Sequence, residues 1–143
     1  MRLVSRCLRA VGALSVGALL VGLVGCGPSY PVLDLDSPVG TWRAAPPGTG
    51  TLDIFSDGTF TITGSSFNLS TARDAHSEYD AEGTWQVSSS SPKVYLFIVR
   101  ATDQGRAQSG NGGRPREYKQ GTITFHDGEE TTGVTFVYSP PSS

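Results

Sequence analysis

Two histidines and a run of carboxylates are the residues whose types invite chemistry. His76, Glu78 and Asp80 alternate along one stretch with Asp74 and Glu82 on the same parity. Carboxylates suit a hard divalent cation, and imidazole suits a transition metal. On an extended strand, side chains two residues apart share a face but stand about 6.6 Å apart. Ligands to one ion must converge to within about 2.3 Å of it. A neighbouring strand would have to complete such a site; otherwise the row is a charged outer face that discourages edge-to-edge pairing. No metal or dissociable cofactor is expected. His126 precedes Asp127 in a serine-rich chain, so the parts of a Ser/His/Asp triad exist. No Gly-x-Ser-x-Gly turn presents a nucleophile. The expectation is a non-enzymatic protein, with a hydrolase as the remote alternative. Arg106, Arg114, Arg116 and Lys119 form the one basic cluster, diluted by Asp103 and Glu117. It reads as a solvated loop, or as a contact for anionic lipid or cell-wall polymer.

The remaining reactive side chain is a thiol, and its setting is a targeting segment. Arg2, Arg6 and Arg9 precede the uncharged run Ala10–Val24, fifteen residues long. A spanning helix needs about 20 apolar residues, so the run suits a signal peptide. It ends at Leu23-Val24-Gly25-Cys26. These four residues resemble the lipobox of bacterial lipoproteins. The resemblance implies a diacylglyceryl thioether on Cys26, cleavage just before it, and in some members a further N-acyl (palmitate-type) chain on the new terminus. Two buried acyl chains hold a protein on a bilayer without any helix. The implied location is the extracytoplasmic face of the cell membrane.

Removal of residues 1–25 leaves 118 residues, with eight Lys and Arg against thirteen Asp and Glu, a formal charge of −5. That balance offers no basic stripe to replace phosphate counterions, so nucleic acid is not an expected partner. Cys7 departs with the leader and Cys26 is consumed by lipid, which excludes both a disulfide and a cysteine nucleophile. Few Lys, Asn and Ile beside many Gly, Ala, Ser and Thr point to a high-GC, actinobacterium-like source. There the anchor would sit in the outer leaflet of the cytoplasmic membrane. In a two-membrane organism Gly27 after the cysteine would permit export to the outer membrane.

The elements that must position these residues are strands. Residues 26–37 read as the lipidated cysteine and a Pro- and Asp-containing tether, 38–139 as the β domain and 140–143 as a tail. Strands are expected at 41–44, 51–55, 59–63, 74–87, 93–100, 119–125 and 134–138. Asp57-Gly58 marks a tight hairpin between the second and third. Residues 74–87 alternate strictly, with Ala75, Ser77, Tyr79, Ala81, Gly83, Trp85 and Val87 on one face; Gly83 suits a bulge or bend. Lys93–Arg100 is apolar on both faces and asks for cover on both sides. Residues 101–117 read as a long glycine-rich mobile loop. The fold class is all-β: an antiparallel meander of about seven strands closed as a small barrel, with a β-sandwich as the alternative.

The tetrapeptides Val39-Gly40-Thr41-Trp42 and Glu82-Gly83-Thr84-Trp85 repeat Gly-Thr-Trp. The first, after Asp36-Ser37-Pro38, resembles the Gly-x-Trp signature of lipocalin-like (calycin-type) domains, over about a hundred residues. The resemblance implies an up-and-down barrel with this tryptophan plugging one end. That family stacks an arginine from its last strand on the tryptophan, and residues 134–138 contain none. From the residues alone both tryptophans suit a core. Trp42, Trp85, Tyr95 and Phe97 are the candidate lining of a cavity for a small apolar ligand. The expected function is therefore a membrane-anchored β domain that binds such a ligand or an envelope partner. The alternative is an envelope assembly or maintenance factor without a pocket.

Overall fold

The Asp57-Gly58 turn forms as the sequence predicts. It joins Thr51–Ile54 (β2) to Thr59–Asn68 (β3) in antiparallel register. The Asp57 carboxylate accepts from the backbone N–H and the hydroxyl of Thr59 at 2.9 and 2.6 Å, which holds its pKa below the usual carboxylate value. These contacts belong to a computed structural model that describes residues 30–110, 113 and 115–143. Cys26, its lipobox and the leader lie outside the described residues.

Gly40–Ala44 (β1) pairs with β2 on one edge and with Gly133–Ser139 (β9) on the other. Arg73–Val87 (β4) and Lys93–Asp103 (β5) continue the meander beyond β3. Arg106–Gln108 (β6) turns back along the end of β5, Arg116–Glu117 (β7) pairs with its beginning, and Thr122–His126 (β8) pairs with β9. The order is β6-β5-β4-β3-β2-β1-β9-β8, every pair antiparallel. The all-β antiparallel architecture is as expected, with nine strands among the described residues instead of about seven. The sheet curls into an open half-barrel: β8 does not pair with β5, and β7 packs beside β8 across the gap.

Alternate residues face the interior. Trp42, Leu52, Ile54, Phe60, Ile62, Tyr79, Leu96, Ile123 and Phe136 are all buried. Each such side chain contributes about 1.5–3 kcal/mol by leaving water, and the period of two follows from the pleat.

Four expectations change. The alternation of residues 74–87 holds only from Tyr79 onward. Between the pairs Phe67–Asp74 and Ser65–Tyr79, β4 carries four residues against one in β3. His76 and Ser77 absorb the excess at φ values of 50° and 69°, which turns Ser77 outward. The expected shift at Gly83 is present, between Glu82 and Gly83.

The glycine-rich stretch 101–117 is not a free loop. After β6, Gly110 and Gly113 lie against the edge of β5, and β7 rejoins it. A Cβ at Gly113 would stand 1.9 Å from the Leu96 carbonyl oxygen, so only glycine allows this approach.

The strand at 93–103 has cover on one side only. Val94, Leu96 and Ile98 are buried, while Phe97 and Val99 on the other face are 36% and 63% exposed.

Finally, part of the expected tether belongs to the domain. The N–H groups of Leu33 and Leu35 donate to the carbonyls of Gln120 and Lys119 at 3.2 and 2.9 Å, and Asp34 pairs with Lys119 at 3.1 Å. Leu35 packs on the core.

Candidate functional site

The four aromatic candidates do not line one cavity. Trp42 is fully buried on the inner face of β1, and its indole N–H donates to the Pro38 carbonyl at 2.9 Å. Tyr138, from the last strand, meets it edge-on, with centroids 5.2 Å apart at 72°. A Cβ at Gly40 would stand 2.6 Å from the Tyr138 ring. The first Gly-Thr-Trp is thus a packing device: glycine makes room for the tyrosine that covers the tryptophan. Trp85 is half-buried, packs on the core, and donates its indole N–H to the Phe55 carbonyl at 2.7 Å. Tyr95 and Phe97 stack on each other, 6.3 Å apart at 9°, on the outer face of β5.

Space instead opens where the sheet fails to close. A cleft of about 250 Å³ runs between β5 on one side and β8 on the other, under the β3–β4 turn. Its apolar walls are Phe67, Leu69, Leu96, Ile98 and Phe125. Ser70, Thr71, Arg116 and His126 supply the polar groups. A concave, mostly apolar site with a few polar groups is the usual form of a small-molecule site.

The roof is held by buried polar contacts. Asn68, almost fully buried, accepts the N–H groups of Ser70 and Thr71 at 2.9 and 3.1 Å and donates to Asp103 at 2.7 Å. That Asx-type turn fixes the direction of residues 69–72. Tyr79 reaches up from the core, and its hydroxyl lies 2.9 Å from that of Ser70. Burial pushes the Tyr79 phenol above its usual pKa.

Across the seam, the Arg116 guanidinium sits 5.4 Å from the centroid of the Phe125 ring and donates to the Pro115 carbonyl at 3.3 Å. A guanidinium over an aromatic face is attracted by the ring quadrupole.

His126 ends β8 at the cleft, with Nδ1 2.8 Å from the Asp127 carbonyl. A carbonyl only accepts, so Nδ1 carries the proton. Nε2 faces Glu130 at 3.8 Å. The Asp127 carboxylate is taken up by the backbone and hydroxyl of Thr131 and the hydroxyl of Thr132, contacts that lower its pKa. His76 pairs with Asp74 at 3.0 Å on the outside of β4. Asp80 caps the Gly64 N–H at 2.7 Å, and Glu82 binds Arg100 at 2.6 Å. The alternating acidic row is therefore split among separate partners. Among the described residues no three His, Cys, Asp or Glu side chains gather in a metal-binding group.

Sequence reasoning passed over Phe67 and Leu69, because residues 64–73 show no strand period, and over Phe125, although it falls in the strand expected at 119–125. The signal was local: Asn68-Leu69-Ser70-Thr71 combines an Asx-turn asparagine with apolar residues on both sides of it. Compared with known proteins, the chain matches no family model, no curated protein and no solved structure.

Proposed function

We propose that this chain is a lipid-anchored extracytoplasmic protein whose β domain holds a small, largely apolar ligand in the seam cleft. The anchor reading rests on the leader and the Leu-Val-Gly-Cys box, with diacylglycerol and, as in some lipoproteins, a further N-acyl chain on Cys26. The ligand reading is carried by one observation: inner-face side chains of β3, β5 and β8 line a space of about 250 Å³ that no described residue fills. An apolar body would lie against Phe67, Leu96, Ile98 and Phe125. A polar or anionic end would meet Ser70, Arg116 or His126. Nothing in this reading requires catalysis or a dissociable cofactor.

A second reading has its own support. Phe97, Val99 and the stacked Tyr95 make an apolar stripe on the outside of β5. Exposed apolar surface of this kind suits an envelope partner protein, as an assembly or maintenance factor would need.

One titration separates the two. The full-length lipoprotein, purified from membranes in detergent, is titrated with anilinonaphthalene sulfonate, an apolar ring system with one anionic head. The cleft reading expects Thr71→Trp, which places an indole at the mouth, to weaken binding about tenfold, near 1.4 kcal/mol. The paired change Phe97→Thr with Val99→Thr should leave that binding intact. The reverse pattern overturns the cleft in favour of the stripe. For the anchor, Cys26→Ser moves the protein from the membrane to the soluble or unprocessed fraction; a variant still cut and membrane-bound would refute it.

A further inference from the structure

The docking of residues 33–35 fixes which end of the β domain carries the tether, and that end differs chemically from the other. Leu33 and Leu35 bond to the turn at 119–120. Gly121 in that turn accepts the Tyr138 N–H at 2.9 Å, beside the end of β9. Gly40 at the start of β1 is paired with Ile54, so the Phe55–Gly58 turn lies at the same end. So does the end of β4, because the Trp85 indole reaches the Phe55 carbonyl. Exposed apolar side chains collect here: Val32 is 81% exposed, Phe55 44% and Val87 38%.

We propose that this end of the domain rests directly on the lipid bilayer, with Val32, Phe55 and Val87 as its contact residues. The proposal depends on lipidation of Cys26, and it goes beyond that reading by specifying a second, non-covalent contact and an orientation. Covalent reach supplies the first support. Four residues separate Cys26 from Pro31, where the compact unit begins, so five Cα–Cα steps span at most about 17 Å. So short a tether holds the end at a high effective concentration next to the headgroups, where weak contacts suffice.

Charge supplies the second. An acidic domain is repelled by anionic lipid, yet at this end Asp34 is matched by Lys119 and Glu117 by Lys93, at 3.1 and 3.9 Å. Asp57 is folded onto Thr59, and Asp36 remains on the approach to β1. The opposite end presents Asp127, Glu129 and Glu130 in the β8–β9 turn, where the only ring nitrogen placed by an acidic group among the described residues is His126 Nε2, 3.8 Å from Glu130. Of the two ends, the tethered one has its acidic groups the more fully engaged and carries the exposed Val32, Phe55 and Val87. The roof of the seam cleft, residues 69–72, belongs to the other end and so faces away from the membrane.

The test uses the fact that lipid would consume the mature chain's native thiol. Single cysteines replace Phe55, Val87 or, in the distal turn, Glu129. Each variant, expressed with its leader, is labelled with a polarity-sensitive fluorophore. It is then reconstituted into vesicles of phosphatidylethanolamine and phosphatidylglycerol, with and without bromine-labelled acyl chains. Labels at 55 and 87 should shift to the blue and be quenched by the brominated lipid, while the label at 129 should do neither. Circular dichroism of each variant checks that the β fold is retained. A lipidated protein whose labels at 55 and 87 behave like that at 129 overturns the docking proposal and leaves the anchor intact. A chain whose N-terminal peptide carries no lipid by mass spectrometry overturns the anchor and this proposal together.

Discussion

The region around Trp42 and the region around the seam use the same kinds of side chain, yet one is shut and the other is open. At Trp42 the sheet is continuous: β2, β1 and β9 pair edge to edge, and Tyr138 fills the space left by Gly40. At the seam, β5 and β8 share no ladder, and the two-residue β7 bridges them. Backbone pairing sets how closely inner faces approach. Where it stops, apolar walls remain but cannot interdigitate. A void lined by Leu, Ile and Phe is therefore a product of topology as much as of composition.

That contrast should appear first in truncation energies. Trp42→Ala removes a fully buried indole and its bond to the Pro38 carbonyl, in a place with no freedom to collapse. A loss of about 3–5 kcal/mol is expected, measured by urea denaturation. Leu96→Ala removes a buried wall of the cleft, where neighbours can relax into existing space. Its cost should sit at the low end of the usual range, about 2–3 kcal/mol. Equal costs, corrected for the atoms removed, would mean that the seam is as tightly packed as the Trp42 region.

The next effect concerns the backbone that lines the seam. Gly113→Ala puts a methyl group 1.9 Å from the Leu96 carbonyl oxygen, so the chain at Gly113 must lift from β5 and draw on β7. The expected loss is about 1–3 kcal/mol. It should be accompanied by faster amide exchange at Arg116 and Glu117, which pair with Val94 and Lys93. Unchanged exchange there would show that β7 holds its place without the glycine approach.

This same segment shows what the sequence could and could not disclose. The hairpin at Asp57-Gly58 was legible because the turn needs those residue types and its arms alternate. The inward residues Tyr79 and Ala81 of β4 were legible for the same reason. The edge strands at 106–108 and 116–117 were not, because between them glycine occupies positions such as 110 and 113 where backbone meets backbone, leaving no side-chain period to read. The excursion at His76 and Ser77 was hidden too: the letters alternate through it, while the backbone spends extra residues turning over. The seam cleft depends on which strands fail to pair, and no local pattern encodes that. Apolar composition on both faces of residues 93–100 suggested burial on both sides, although a sheet with one solvated face tolerates exposed aromatic and β-branched side chains.

A pH series tests the roof of the cleft. Tyr79 is buried beneath the turn, 2.9 Å from the Ser70 hydroxyl, and its phenol is raised above 10.0 mainly by desolvation. The unfolded chain therefore loses this proton at lower pH than the folded chain does. The stability linked to the neutral phenol is complete below about pH 10 and is lost as pH rises toward and through the folded value. Tyr79→Phe should flatten that alkaline decline, leaving the acid side of the profile unchanged. An identical alkaline slope in the variant would place the linkage on another group.

The smallest effect belongs to the outer face of β5, and its smallness is what it tests. Phe97 and Val99 alternate with Leu96 and Ile98 along one strand, so local strand propensity is nearly the same for all four. Only the side they face differs. Phe97→Thr with Val99→Thr introduces β-branching at the first position, keeps it at the second and removes surface that water already reaches. The change in stability should stay within about 0.5 kcal/mol, well below the cost of Leu96→Ala on the inner face. A loss approaching that of Leu96→Ala would mean that the stripe is covered within the native protein, by a second copy or by the residues beyond the described chain. With no such loss, the stripe contributes little to folding and stays available as a surface for a partner.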